Sequence, residues 1–228
     1  MKISVVVPAH NEEKHIVSCL ESLTNQTRQP DEIIVVSNSS TDRTEEIVKS
    51  YPKVTLLSLD VKGIIPARNK GFDLATGDII ARCDADTILP KDWVKKIEDS
   101  FLNNQSAVAL SMPVLVNDIK FGDRFLFLFY LYMLIPRLTM GHYPVVGPSM
   151  AVKKEAWDKI KSELCTDAVK VHEDIDISFH IKKLGNIIHD RSNLALTSGR
   201  RIKYNLWSFF GEYTLRFFKM LYTHRHLA

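Results

Sequence analysis

Over its first hundred residues the chain alternates short β-branched runs with stretches of helical spacing. Ile3–Val7, Glu32–Ser37, Val54–Ser58 and Asp78–Cys83 read as strands, and Glu12–Thr24, Asp42–Ser50 and Ile65–Ala75 as helices between them. Asn11 is placed to cap the first of these helices, and Thr41 or Asp42 the second. The alternation predicts an α/β fold, with a mostly parallel central sheet and helices on both faces. In such sheets ligands lie beyond the carboxyl ends of the strands. Pro8, Ala9, His10 and Asn11 fall there after the first strand, Asn38 after the second, and Asp84 and Asp86 after the fourth.

Beyond Asp86 the pattern loosens. It predicts a helix near Lys91–Asn103, a strand near Ala107–Leu115, an apolar segment over 121–135 and a Gly/Pro-rich passage from Gly141 to Pro148. A short strand Ser149–Lys153, a helix Val171–Leu184, strands near Ile187 and Ala195, and a last helix Leu206–Tyr222 follow. With no repeat, low-complexity stretch or linker, residues 1–228 read as one domain.

Composition narrows the function classes. Of 228 residues, 45% are hydrophobic and 25% charged, enough apolar content for a real core. A formal charge of +3 is too mild to make nucleic acid the main partner. Cys19, Cys83 and Cys165 are odd in number and widely spaced, neither a disulfide framework nor a zinc pattern, which fits a reducing, cytoplasmic setting. Ile3–Val7, cut by Pro8, is too short for a signal peptide, and no run reaches the ~20 apolar residues of a spanning helix.

The sharpest chemical feature is Asp84-Ala85-Asp86 at a strand end. In an extended segment residues two apart project to one side, so both carboxylates could aim at one Mg²⁺ or Mn²⁺ that also takes substrate phosphates. Solvated turn carboxylates are the alternative. On the predicted helix from Val171, Asp174 shares a stripe with Ile177, Ser178 and Ile181. That places a carboxylate in line with an apolar face, where it could accept a proton. Stabilising the helix dipole is the other role open to it, as to Glu173 and Asp176. Arg68 offers a guanidinium suited to a diphosphate, or is a surface arginine.

Four elements stand in order: Val-Val-Val-Pro-Ala-His-Asn-Glu-Glu (5–13), Gly63-Ile-Ile-Pro-Ala-Arg-Asn-Lys-Gly71, Asp84-Ala85-Asp86 and His172-Glu-Asp-Ile-Asp176. Together they resemble the inverting family-2 glycosyltransferases of GT-A fold over roughly residues 1–200. The resemblance implies transfer of a sugar from a nucleotide-diphosphate donor to an acceptor hydroxyl, on a saccharide or a lipid-linked molecule. It implies a donor-binding half over about 1–110, with Pro8, Ala9, Asn11, Glu12, Asn38, Arg68, Asp84, Ala85 and Asp86 around the donor and Asp84 and Asp86 on Mg²⁺ or Mn²⁺. It further implies an acceptor half over 111–203, with Gly147, Pro148, Ser149 and Glu173 on that side and Asp174 as catalytic base. Arg201, beside Arg200, is a further candidate for the diphosphate. His172, His180 and His189 are candidates for a third metal ligand, with no spacing that selects one. One departure stands out: the family's second strand usually ends in two aspartates, whereas this one reads Ser37-Asn38-Ser39-Ser40. Asn38 keeps a donor and an acceptor for a base edge but lacks the charge, which leaves the nucleotide open.

The segment 204–228 reads as an amphipathic helix with Ser208, Glu212, Arg216 and Lys219 on a narrow polar stripe and aromatics elsewhere. It could lie on the cytoplasmic face of a bilayer or pack on the core or a second subunit. Two other functions compete, a sugar-phosphate nucleotidyltransferase and a non-catalytic nucleotide-sugar binder. The first would want a Gly-rich basic loop after strand one, where this chain has Pro-Ala-His-Asn-Glu-Glu.

Overall fold

A computed structural model describes residues 1–116, 118, 122–167, 171–200, 211 and 213–224. Its central sheet has seven strands in the order β3-β2-β1-β4-β8-β6-β9. These are β1 (Ile3–Ala9), β2 (Glu32–Asn38), β3 (Val54–Leu59), β4 (Ile79–Arg82), β6 (Ala107–Ser111), β8 (Met150–Lys153) and β9 (Asn186–His189). All neighbours pair in parallel except β8, which runs against β4 and β6. A small sheet, β5-β10-β7, joins β5 (Thr87–Ile88), β10 (Ala195–Thr197) and β7 (Val114–Val116). The helices are α1 (Ile16–Thr24), α2 (Thr44–Lys49), α3 (Ile64–Leu74), α4 (Trp93–Asn103), α5 (Gly122–Met140), α6 (Lys154–Ile160), α7 (Glu173–Lys182) and α8 (Tyr213–His224).

β1 is buried along its whole length, so it reads as a continuous apolar run rather than an alternation. Its side chains still divide between the two faces: Val5 and Val7 join the layer holding α1 and α4, and Val6 the layer holding α3 and α6. Gly71 lets α3 lie against the sheet, since a Cβ there would overlap Val6 Cγ1.

Several elements differ from the sequence reading, each for a local reason. The strand expected over Ala107–Leu115 is two, broken at Met112-Pro113 because proline has no N–H for the ladder. Its second half leaves for the small sheet. α1 begins at Ile16, not Glu12, and Asn11 does not cap it. Asn11 instead adopts a left-handed backbone (φ 54°), and its Oδ1 accepts the Thr41 N–H at 2.8 Å, tying two loops together. Asp42 does serve the start of α2, accepting the Thr44 N–H at 3.0 Å. The short elements β5 and α6 have too little sequence for periodicity to reveal. Of the predicted terminal segment 204–228, residues 204–210 (with Ser208), Glu212 and 225–228 lie outside the described residues. Among the described residues no helix is long and apolar enough to cross a membrane.

Candidate active site

The carboxyl ends of β1, β2, β4 and β6 open on one edge of the sheet. At the end of β4, Asp84-Ala85-Asp86 forms a turn closed by the Thr87 N–H on Asp84 O at 3.0 Å. The two carboxylates are therefore brought together by a turn, not by the extended alternation expected. Ala85 is buried in the core cluster and offers no side chain to a ligand. Asp86 is pushed up to about 6 by burial and then by the charge of Asp84, against the pull of Arg200. A carboxylate so crowded by negative charge favours a cation.

The residue that organises the site is Arg82, the last of β4, which is 2% exposed. Its Nη2 donates to Asp84 Oδ1 at 3.0 Å, and its Nη1 donates to Asp174 Oδ1 at 3.0 Å and to Glu173 Oε1 at 2.9 Å. One guanidinium thus links the acid pair to the predicted base across the sheet edge. Arg68 of α3 completes the network. It is 1% exposed, pairs with Glu173 Oε2 at 3.1 Å and lies 5.5 Å from the Trp157 ring centroid. The guanidinium expected to meet a diphosphate is turned into the protein, toward Glu173.

The neighbouring acids of α7 are driven in opposite directions. Burial would raise Glu173, but Arg82 and then Arg68 outweigh it and hold it at about 2. Asp174 is raised to about 7 by burial and then by the charge of Glu173, with Arg82 opposing. Glu173 is therefore a fixed counter-ion. Asp174 is held toward its protonated form by burial and by the neighbouring charge. Separation of two adjacent carboxyls in this way is a signature of acid–base sites.

Gly147 fits against this pair. Its N–H donates to Asp174 Oδ2 at 2.8 Å, and a Cβ on it would stand 2.5 Å from Arg82 Nη2 and 3.0 Å from Asp174 Oδ2. Gly147→Ala is expected to lower kcat about 10²-fold by displacing both groups, with circular dichroism showing the fold kept. Undiminished turnover would reject that tight fit. Pro148 is half-buried beside Gly147. Ser149, expected on the acceptor side, is fully buried and its hydroxyl accepts from Trp93 Nε1 at 2.9 Å. It packs the core and does not face the cleft.

On the donor side, Pro8 and Ala9 are buried at the end of β1. Asn38 uses its side-chain amide like a short ladder, donating to Gly63 O at 2.6 Å and accepting from Gly63 N at 3.2 Å. His10 Nδ1 lies 2.6 Å from Asn38 O. A cavity of about 470 Å³ opens here, lined by Asn11, Lys14, His15, Asp42, Ser198 and Arg200 among others, a volume suited to a small ligand. Arg200 pairs through both terminal nitrogens with the buried Glu12 and reaches Asp86 Oδ2 at 3.3 Å. Thr197 Oγ1 lies 3.4 Å from Asp86 Oδ1. Arg201 lies outside the described residues.

Asp84 and Asp86 fit a hard divalent cation in their chemistry: two carboxylates, one of them resisting ionisation beside other negative charge. Among the described residues no three His, Cys, Asp or Glu side chains form a metal cluster. His180 pairs with Glu163 at 3.0 Å, and His189 stacks on Tyr143 and lies 3.3 Å from Tyr130 Oη. Neither is a third ligand in this arrangement. Sequence reading passed over Arg82, Lys14 and His15. The signal for Arg82 was present, a lone arginine within Ile79-Ile80-Ala81-Arg82-Cys83.

The chain matches the model of glycosyl transferase family 2 over residues 4–160. YibD of Escherichia coli, an uncharacterized glycosyltransferase, is 42% identical over 89 residues, covering 37% of this chain and 26% of its own. The glucosyl-dolichyl phosphate glucuronosyltransferase of Haloferax volcanii is 30% identical over 120 residues, 50% of this chain and 38% of its own. Across such curated relatives the chain spans between 16% and 38% of their length. Among solved structures, mannosyltransferase PcManGT from Pyrobaculum calidifontis, in complex with GDP-Man and Mn²⁺, aligns with a TM-score of 0.70 at 22% identity over 90% of this chain and 59% of that one. Glucosyl-3-phosphoglycerate synthase from Mycobacterium tuberculosis, with Mn²⁺, UDP and glucosyl-3-phosphoglycerate, aligns at 0.66 and 20% identity over 96% and 78%. These likenesses identify the fold as GT-A.

Proposed function

The chain belongs to glycosyl transferase family 2; on that premise we propose that it is a glycosyltransferase that moves a sugar from a nucleotide-diphosphate donor to an acceptor hydroxyl, with inversion. The observation that carries this reading is Arg82, whose guanidinium hydrogen-bonds both Asp84 and Asp174 and so joins the strand-end acid pair to the predicted base. Family membership favours this reading over the nucleotidyltransferase, and the presence of Asp84, Asp86 and Asp174 favours it over a non-catalytic binder.

In this mechanism the donor occupies the cavity between Asn11 and Arg200, with its diphosphate toward Asp84, Asp86 and Arg200. Asp174 Oδ accepts the proton of the acceptor hydroxyl as its oxygen attacks the anomeric carbon from the face opposite the diphosphate. The anomeric C–O bond breaks, and its electron pair leaves with the nucleoside diphosphate. One displacement inverts the centre, so one base suffices. Arg82 and the Gly147 N–H hold the Asp174 carboxylate in one orientation, and Glu173 keeps both arginines charged and in place. A Mg²⁺ or Mn²⁺ held by Asp84 and Asp86 would supply Lewis-acid stabilisation of the departing phosphate charge. The two aligned structures that carry Mn²⁺ support that choice of ligand. The acceptor is a saccharide or lipid-linked hydroxyl compound, and buried Glu12 with its partly exposed partner Arg200 borders the donor.

Transfer from a panel of nucleotide sugars, assayed with Mn²⁺, tests this reading. Excess chelator is expected to stop transfer and added Mn²⁺ to restore it, while Asp86→Asn should lower the rate roughly 10²–10³-fold. Full activity in chelator would remove the cation from the proposal.

A further inference from the structure

Two helices leave apolar stripes uncovered. On α5, Phe127, Leu131, Leu134, Ile135 and Leu138 are all exposed, and at 3.6 residues per turn they fall within an arc of about 100°. Phe129, Met133 and Pro136 occupy the opposite, buried side. α8 repeats the arrangement, with Leu215, Phe218 and Tyr222 exposed and Phe217 and Met220 buried. Eight large apolar side chains on two stripes exceed the scattered exposure normal for a soluble surface.

The stripes are joined to the site. Phe217 and Met220 pack with Val171 and Ile175, which flank Asp174 in sequence, and with Met140 at the end of α5. The charges on the two helices are mostly basic: Asp123, Arg124 and Arg137 on α5, Arg216 and Lys219 on α8. From Phe127 to Met140 the only charged residue is Arg137. From Tyr213 to His224, the whole of α8, Arg216 and Lys219 are the charged residues and there is no Asp or Glu. Lys219 is exposed within the α8 stripe.

We propose that the α5 and α8 stripes form one docking face for an anionic lipid bilayer, lying at the headgroup–acyl boundary. Apolar side chains enter the interface while lysine and arginine meet the headgroups, the balance that holds an amphipathic helix in the plane of a membrane. A purely apolar protein partner would leave this basic excess unexplained. The docking face stands apart from the transfer chemistry. It rests on the proposed function only in naming the acceptor, a hydroxyl compound carried at that bilayer and delivered beside α7.

The test is co-sedimentation of the full chain with vesicles of phosphatidylcholine alone and of phosphatidylcholine mixed with phosphatidylglycerol, without donor, metal or acceptor. The chain is expected to pellet with the anionic vesicles and to release as salt rises. Leu131→Ser combined with Leu138→Ser should weaken binding roughly tenfold or more. Those side chains are 53% and 75% exposed, so the exchange opens no cavity, and an unchanged circular dichroism spectrum checks folding. Lys219→Gln should reduce the preference for anionic vesicles. Asp174→Asn should bind vesicles like the parent chain, which separates failure of docking from failure of transfer. No binding by the parent chain, or equal binding by the double variant, overturns the proposal. So does a concentration-dependent dimer that the double variant dissolves while vesicles remain unbound, which would assign the face to a second copy.

Discussion

Asp174→Asn is expected to lower kcat by about 10²–10⁴-fold, the range supplied by a positioned general base, while nucleoside diphosphate affinity changes little. The asymmetry follows from geometry: Asp174 stands with Arg82 and Gly147, whereas the donor cavity is lined from Asn11, Asp42 and Arg200. The parent enzyme should also show a distinctive pH profile. Asp174 must be unprotonated to accept the hydroxyl proton, and its folded value is raised to about 7. kcat/KM should therefore rise with pH up to about 7 and level off above it, not level off near the ordinary carboxyl value of about 4. That limb should be missing from the residual activity of the variant. The same shift carries a stability cost of known sign. Between the unfolded and folded values the native chain binds the proton more tightly, so this contribution is full below about pH 4 and lost as pH rises through about 7. Initial rates over pH 5–9, roughly two units either side of that value, decide the matter. Substantial turnover by Asp174→Asn would move the base elsewhere.

Arg82→Met should produce the largest loss of stability. Removing one partner of a buried ion network leaves the others charged and unpaired, a cost of about 3–5 kcal/mol. For a chain of this size that corresponds to a fall of roughly 6–20 °C in melting temperature. Arg82 faces Asp84, Glu173 and Asp174 together, and only Arg68 would remain beside Glu173. Lysine cannot substitute, because its single ammonium lacks the fork that spans three carboxylates. The pH dependence again has a definite sign. Glu173 is depressed to about 2, so its contribution is present above the ordinary glutamate value and lost as pH falls toward 2. The gap between parent and variant should be widest near neutrality and close in acid. Thermal unfolding followed by circular dichroism, in a series from pH 7 down toward about pH 2, measures both statements. A loss below about 1 kcal/mol, the level of an exposed pair, would show that Arg82 is not the hub.

These two residues illustrate what the chain discloses before it folds. Glu173-Asp174 and Asp84-Ala85-Asp86 were legible because each is a short run at a predictable place, a helix start and a strand end. Arg82 was not read as a site residue, since a charged side chain in an apolar strand announces burial without naming its partners. Those partners lie 91 and 92 positions away. Ser149 misled for the converse reason. It stands two residues from Gly147 in sequence, yet its hydroxyl faces Trp93 across the core.

By itself the sequence determined the strand–helix alternation, the parallel sheet and the edge on which the acids emerge, because periodicity and β-branched runs report local backbone preference and the buried face. Only the tertiary structure decided which of two adjacent carboxyls stays ionised. It also decided that Arg68 turns inward to Glu173, that Asn38 spends its amide on Gly63, and that Arg200 meets Glu12 and Asp86. Protonation and pairing depend on burial and on charges within a few ångströms. Those distances arise from contacts between segments remote in the chain, which no local pattern encodes.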